Sequence, residues 1–146
     1  MIRSKMKTNI ITYLTLLLSL IIIDGIWLGL VAKDSYQQAM GHIMREQVII
    51  WPWVVFYLFY PLAILILAIN VQLANQSKYY FLWRGFVLGA AAYGTYNLTN
   101  YALVVDWPLS ITIKDWLWGA ILTSSCSLIG GLVWLKISIL KTLNDI

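Results

Sequence analysis

The sequence predicts an all-α polytopic membrane protein: one domain (1–146) of four transmembrane helices in an antiparallel bundle, with both termini in the cytoplasm. Three observations predict it. The 146-residue chain is 61% hydrophobic and only 11% charged, with a mean hydropathy of +0.79, whereas soluble domains carry roughly 25% charged residues. Four apolar runs are long enough to cross a bilayer, which takes about 20 helical residues. The basic residues sort to one side of those runs.

The first run, residues 10–31, follows Arg3, Lys5 and Lys7. That charge pattern is similar to a signal peptide, but the apolar stretch exceeds an h-region and no small-x-small cleavage site follows. It reads as a retained helix. The loop KDSYQQAMGHIMREQ (33–47) has no proline, and Tyr36, Met40, Ile43 and Met44 recur at helical spacing, as in a short interfacial helix. The second run, 51–70, carries Pro52 in its first turn, where the missing N–H costs nothing. Pro61 near its middle is expected to kink the helix and free the Tyr57 carbonyl. The third run covers 85–105. The fourth, 116–137, is headed by Asp115, a carboxylate placed to cap a helix N-terminus.

Arg3, Lys5, Lys7, Lys78, Arg84, Lys136 and Lys141 fall on the side of the N-terminus, and Lys33, Arg45 and Lys114 on the other. Seven against three puts both termini in the cytoplasm by the positive-inside rule, in a multi-pass protein. Trp51, Trp53, Trp107, Trp116 and Trp118 map to the outer interface with Trp27 close by, whereas Trp83 and Trp134 mark the inner one. An interfacial belt explains such residues; an aromatic-lined pocket at the outer leaflet would need the same set.

Several function classes are excluded. The basic residues form no dense patch for nucleic acid. Cys126 is the only cysteine, so no intrachain disulfide forms, and the chain offers no metal or redox cluster. Gly-rich phosphate loops, HExxH and GxSxG are absent, and no cofactor is expected. His42, the only histidine, reads as a solvated loop residue.

Gly119, Thr123, Ser127 and Gly131 lie at a strict spacing of four in the fourth run, and Gly85, Gly89, Ala90 and Gly94 open the third. Such rows let helix backbones approach closely. Packing of spans 3 and 4 on each other is the expected use; a homo-oligomer or a membrane-protein partner through the span-4 row is the alternative.

The most unusual stretch is YGTYNLTN (93–100), polar residues inside an apolar run. At about 1.5 Å rise per residue, Asp24, Tyr57, Asn97 and Thr123 all fall roughly 3–5 Å outward of their span midpoints, and Asn100 about 7.5 Å outward. Four helices thus deliver polar groups to one layer. Gly89, Tyr93, Tyr96 and Asn100 follow helical i, i+3, i+4, i+7 spacing and form an expected inward stripe, with Asn97 at its edge. Asp24 shares a face with Trp27. A carboxyl at that depth must be protonated, hydrogen-bonded to the asparagines, or wetted by an outward-open cavity. It serves either as interhelical glue or as a ligand- or proton-handling group.

DGIWLG (24–29), FYLFYP (56–61), YGTYNLTNYA (93–102) and WPLSITIKDWLWG (107–119), in this order, resemble a family of small bacterial four-helix membrane proteins known only as a domain of unknown function (DUF2177-like). The resemblance spans nearly the whole chain. It implies four spans and no established activity, and it points to Asp24, Trp27, Asn97, Thr99, Asn100, Trp107, Asp115 and Gly119. Such proteins are often encoded near genes for fatty-acid-modifying enzymes, a pointer toward lipid. The family pattern, as the resemblance implies it, reads Tyr-Asp-Leu-Thr-Asn where this chain has Tyr96-Asn97-Leu98-Thr99-Asn100, which argues against a mechanism needing two carboxylates in this layer and leaves one needing a hydrogen-bonding pair.

The expected function is a non-enzymatic module that binds a membrane lipid or small amphipathic ligand in an outer-leaflet polar and aromatic pocket. Its expected ligand-binding residues are Asp24, Trp27, Tyr57, Tyr93, Tyr96, Asn97, Asn100, Trp107, Asp115 and Thr123. The alternatives are an intramembrane enzyme or accessory factor in fatty-acid modification, with Asp24 as acid or base, and an assembly partner of another membrane protein.

Overall fold

The structure, a computed structural model, describes residues 2–69 and 77–144. Asn70, the expected end of the second span, lies outside the described residues. All regular structure among the described residues is helical. Helix α1 (Ile2–Ile26) runs on into a wide π turn, Trp27–Val31; α2 is Lys33–Met40; α3 (Trp51–Ile64) also ends in a π turn, Leu65–Ile69; α4 is Lys78–Leu103 and α5 is Leu109–Asn144.

Three of these helical stretches, Lys5–Val31, Trp51–Ile69 and Leu109–Leu140, are long and apolar enough to cross a membrane. Their outward faces carry Ile10, Leu14, Leu18 and Ile22 on α1, Val54, Leu58 and Leu62 on α3, and Ile113, Leu117 and Ile121 on α5, all exposed. The buried positions include Thr8, Thr12, Asp24, Asn97, Thr112, Thr123 and Ser127. Apolar outside and partly polar inside is the arrangement of a chain whose surrounding solvent is lipid. Helix α4 is 26 residues long but is diluted by the tyrosines, glycines and asparagines of its second half.

Two helices start earlier than expected. Helix α5 begins at Leu109 instead of residue 116, and α4 at Lys78 instead of residue 85. Apolar runs mark the lipid-facing portion of a helix, not its first turn. In α5 the start follows Pro108, whose carbonyl accepts the Thr112 N–H at 3.0 Å, and proline suits a helix N-terminus. Asp115 therefore lies well inside α5 and is no N-cap. The α4–α5 turn is tight; Asp106 adopts φ 63°, a left-handed conformation that aspartate tolerates better than most residues.

Pro61 is buried inside α3, and the helix continues past it before widening at Leu65–Ile69. The carbonyl that a neighbour takes in this stretch is that of Leu58, from the Tyr13 hydroxyl at 3.0 Å, not that of Tyr57. At the far end Arg84 donates to the Leu67 carbonyl at 3.0 and 2.5 Å, answering an acceptor that the helix end leaves open.

Helix α5 is the hub. It packs along α4, and also against α1; α1 in turn meets α3. The α4–α5 contact is made by small residues. A Cβ on Gly89 would strike the Gly119 carbonyl and the Thr123 side chain, one on Gly85 would meet Ser127 and the Thr123 backbone, and Gly119 and Gly131 lie against the rings of Tyr93 and Phe81. The row Gly119, Thr123, Ser127 and Gly131 is thus buried against α4. The apolar core beneath it joins Leu16 and Leu20, Ile64 and Ala68, Phe81, Leu122 and Cys126.

Gly119→Ala should lower the stability of the folded protein to denaturant by about 1–3 kcal/mol through overpacking against Tyr93. Gly25→Ala, with nothing within 4 Å of the added Cβ, should be neutral or mildly stabilising. Equal midpoints for the two variants in SDS-induced unfolding followed by circular dichroism would contradict the assigned contact.

Candidate functional site

Asp24 lies in the last turn of α1, just before the backbone widens at Trp27. It is 4% exposed. The Tyr57 hydroxyl donates to its Oδ2 at 2.8 Å and the Trp118 indole N–H donates to its Oδ1 at 3.1 Å. One carboxyl so ties α1 to α3 and α5. The wide turn brings Trp27 flat onto Trp118, with ring centroids 4.1 Å apart and planes 7° from parallel. Such turns recur at functional sites.

Asp115 stands three residues before Trp118, on the same face of α5. Its Oδ1 accepts from the Tyr36 hydroxyl and its Oδ2 from the Asn97 side-chain amide, each at 2.6 Å. Asn97 is fully buried, and the same Nδ2 also donates to the Tyr93 carbonyl at 3.0 Å. Both partners are acceptors, so the amide can face only this way. Its Oδ1 is buried with no hydrogen-bond partner.

Tyr36 comes from α2, the short helix of the loop, which folds over this end of the bundle. Burial first, and then the neighbouring Asp115, hold its phenol above the ordinary tyrosine range, so it remains a donor. Lys114 adds a second tie to α2 through Ser35. The Trp27 indole also approaches Tyr36 without completing a hydrogen bond.

A further link runs through Tyr60, whose hydroxyl lies 2.7 Å from Thr123 Oγ1. Thr123 gives its own proton to the Gly119 carbonyl at 2.7 Å, so Tyr60 is the donor. Tyr93 packs edge-on to Tyr60 at 6.0 Å and sits within electrostatic range of both Asp24 and Asp115.

The structure therefore brings Asp24, Trp27, Tyr57, Tyr93, Asn97, Asp115 and Thr123 into one connected layer. Tyr96 and Asn100 are not part of it. Tyr96 is 55% exposed and packs edge-on to Trp107 at 5.8 Å; the Asn100 side chain, half-buried, makes no hydrogen bond among the described residues. The inward stripe of α4 runs through Phe81, Gly85, Gly89, Gly94 and Asn97, because the glycines that meet α5 fix the face. Asn97 is at its centre and Tyr96 is turned out. The expected pairing of Asp24 with the asparagines is likewise replaced. Helix α4 faces α5, so Asn97 meets Asp115, while Asp24 is reached by the longer Tyr57 and Trp118.

Three members were missed in the sequence: Trp118 and Tyr60, each three residues from a chosen one, and Tyr36, whose only signal was the helical spacing of its loop. Trp116 was placed in an interfacial belt, but its indole N–H donates to the Ala90 carbonyl at 2.8 Å. Thr95 and Thr99 point outward and return their hydroxyls to the Ala91 and Thr95 carbonyls at 2.7 and 2.5 Å, so neither burdens the lipid face. No group of three or more His, Cys, Asp or Glu side chains among the described residues could hold a metal. A groove of about 510 Å³ lies elsewhere, lined by Lys5, Asn9 and Tyr13 of α1 and Leu62 and Ile66 of α3.

Fold and layer together define a helical membrane protein with a polar, aromatic interior beneath a short capping helix. A family model described as "Predicted membrane protein (DUF2177)" matches residues 9–132, and the chain belongs to that family. No curated protein and no solved structure matches the chain.

Tyr57→Phe should cost about 1–3 kcal/mol by leaving a buried carboxyl oxygen without its donor. Trp118→Phe should cost a comparable amount, and the double variant should differ from the sum, because both donors serve one carboxyl. Strictly additive losses in SDS unfolding would remove the shared-carboxyl geometry.

Proposed function

We propose that this protein is a non-catalytic binding module of the bacterial inner membrane, crossing it four times with both termini in the cytoplasm. It holds a lipid or small amphipathic ligand where the polar layer approaches the outer leaflet. The observation that carries this reading is the pair of carboxyls, Asp24 and Asp115, held by side chains from α1 to α5 and flanked by stacked Trp27 and Trp118. Ligand sites combine apolar, aromatic walls with a few fixed polar groups in this way. Stability alone does not require two carboxyls in a membrane interior, where ionisable groups are costly and tend to be functional.

Binding is favoured over catalysis by the hydrogen bonding. Each carboxyl is fixed by two neutral protein donors and keeps a lone pair on each oxygen for a bound group, whereas a general base also needs a pKa and a substrate geometry matched to proton transfer. The ligand would enter beneath α2, whose polar hold on the bundle is Tyr36 on Asp115 and Ser35 on Lys114. Four spans are supported by the length of α4, roughly 39 Å at 1.5 Å per residue, against a hydrocarbon core of about 30 Å. Of its polar residues Asn97 is buried, and Thr95 and Thr99 hydrogen-bond back to their own helix. Orientation is supported by the seven-to-three division of basic residues.

Two measurements test the reading. In a Cys126→Ser background, Gln37→Cys, an exposed position on α2, should react with a membrane-impermeant maleimide added to spheroplasts; labelling only after lysis would reverse the orientation. Native mass spectrometry of protein extracted in mild detergent should show an amphiphile retained by the wild type and reduced at least tenfold in Trp27→Ala. A bare wild-type chain would sink the binding function.

A further inference from the structure

We infer that the ligand of this layer is cationic: an amphiphile whose ammonium group sits against Asp24 and Asp115. This rests on the binding function proposed above and specifies its ligand.

Every partner of the two carboxyls is a neutral donor. Asp24 takes Tyr57 and Trp118, and Asp115 takes Tyr36 and Asn97. Neither is paired with a lysine, arginine or histidine among the described residues. The nearest basic residue in sequence, Lys114, turns its ammonium to Ser35. Neutral donors orient a carboxylate, but they do not cancel its charge, and an unpaired charge in a low-dielectric interior is expensive. The layer thus holds two acids and, among the described residues, no internal cation paired with either.

A separate observation has the same sign. Asn97 is 0% exposed, and its Oδ1 has no partner. Because its Nδ2 is committed to Asp115 and to the Tyr93 carbonyl, the amide cannot turn to present a donor there. A buried acceptor on a residue bonded to Asp115 calls for N–H groups. The walls suit a cation as well: the stacked Trp27 and Trp118, with Tyr57, Tyr93 and Tyr36, supply aromatic faces to which ammonium groups are attracted. An anionic head group would meet two acids and no counter-charge. A hard metal ion would need more oxygen ligands than two acids already bound to donors supply. An organic ammonium fits both the charge and the donor requirement, and its alkyl portion would lie among the apolar surroundings.

The same chemistry occurs in a free alkylamine and in the ethanolamine head group of a phospholipid. The test uses the full-length protein in uncharged maltoside micelles, titrated with dodecylamine, dodecanol, dodecanoate and a short-chain phosphatidylethanolamine. Binding is read by native mass spectrometry and by quenching of tryptophan fluorescence. Dodecylamine should bind saturably at one per chain, at least tenfold tighter than dodecanol, with dodecanoate weaker still. Comparable binding of phosphatidylethanolamine identifies the lipid head group as the source; preference for dodecylamine identifies a free amine; either supports the ammonium. Asp24→Asn and Asp115→Asn should each reduce amine binding at least tenfold and dodecanol binding by much less, so that the preference for the amine is lost. If dodecanol or dodecanoate binds as tightly as the amine to the wild type, the charge assignment is wrong while the binding function stands. If none of the four binds saturably, both fall.

Discussion

The bonds from Tyr57 and Trp118 to Asp24 set the register of three helices at once. In hydrocarbon a carboxyl without partners costs several kcal/mol, so α1 cannot slide by a turn against α3 or α5 without exposing that cost. Both donors are long and aromatic, which lets them cross between helix axes while their rings fill the space around the acid. Trp27 completes the arrangement. The extra residue accommodated by the wide turn after Ile26 brings its indole flat on Trp118, closing the site on the side toward α2.

The second constraint is steric. Helices α4 and α5 approach as closely as they do because Gly85, Gly89, Gly119 and Gly131 leave no room for a Cβ. That approach fixes which face of α4 turns inward, and so decides the fate of each residue in YGTYNLTN. Asn97 falls on the line of the glycines and meets Asp115. Tyr93 lies flat over Gly119. Thr95 and Thr99 fall on the opposite face and hydrogen-bond back to their own helix. A polar run within one helix thus separates by rotation alone into a face that bonds to its neighbours and a face that bonds back to its own helix.

Composition and run length sufficed for the helical membrane architecture, and equal depth along the helices sufficed to gather Asp24, Tyr57, Asn97 and Thr123. Which atoms bond could not be read in the same way. Depth is a one-dimensional coordinate; it does not say that α5 lies between α1 and α4, and that neighbour order is what gives Asn97 to Asp115 instead of Asp24. The helical wheel assigned Tyr96 and Asn100 inward because it counted polar side chains as the inward signal. The glycines were the stronger signal, since helix contact sets the face first. Asp115 was mistaken for a cap because the polar turn SITIKD hides the true start of α5 at Leu109. Tyr36 is a tertiary contact from a loop 79 residues away from its partner, and local pattern carries no trace of it.

The amide at position 97 bears directly on what the layer requires. The resemblance noted in the sequence implies an aspartate here. A carboxyl in the position of Asn97, facing Asp115 at hydrogen-bond distance, could form that bond only by holding a proton between the two, since two bare carboxylates at such separation repel. Asparagine makes the same bond with an N–H that is always present. It therefore fixes Asp115 in an orientation that does not depend on proton occupancy, and its own carbonyl stays a buried acceptor without a partner. In this chain the acidic groups are reduced to Asp24 and Asp115, while the hydrogen-bonding frame around them is retained. A site working by relay of a proton between positions 97 and 115 would lose its function by this exchange. A site working by oriented hydrogen bonds would keep it, and oriented hydrogen bonds are what the geometry around Asn97 describes.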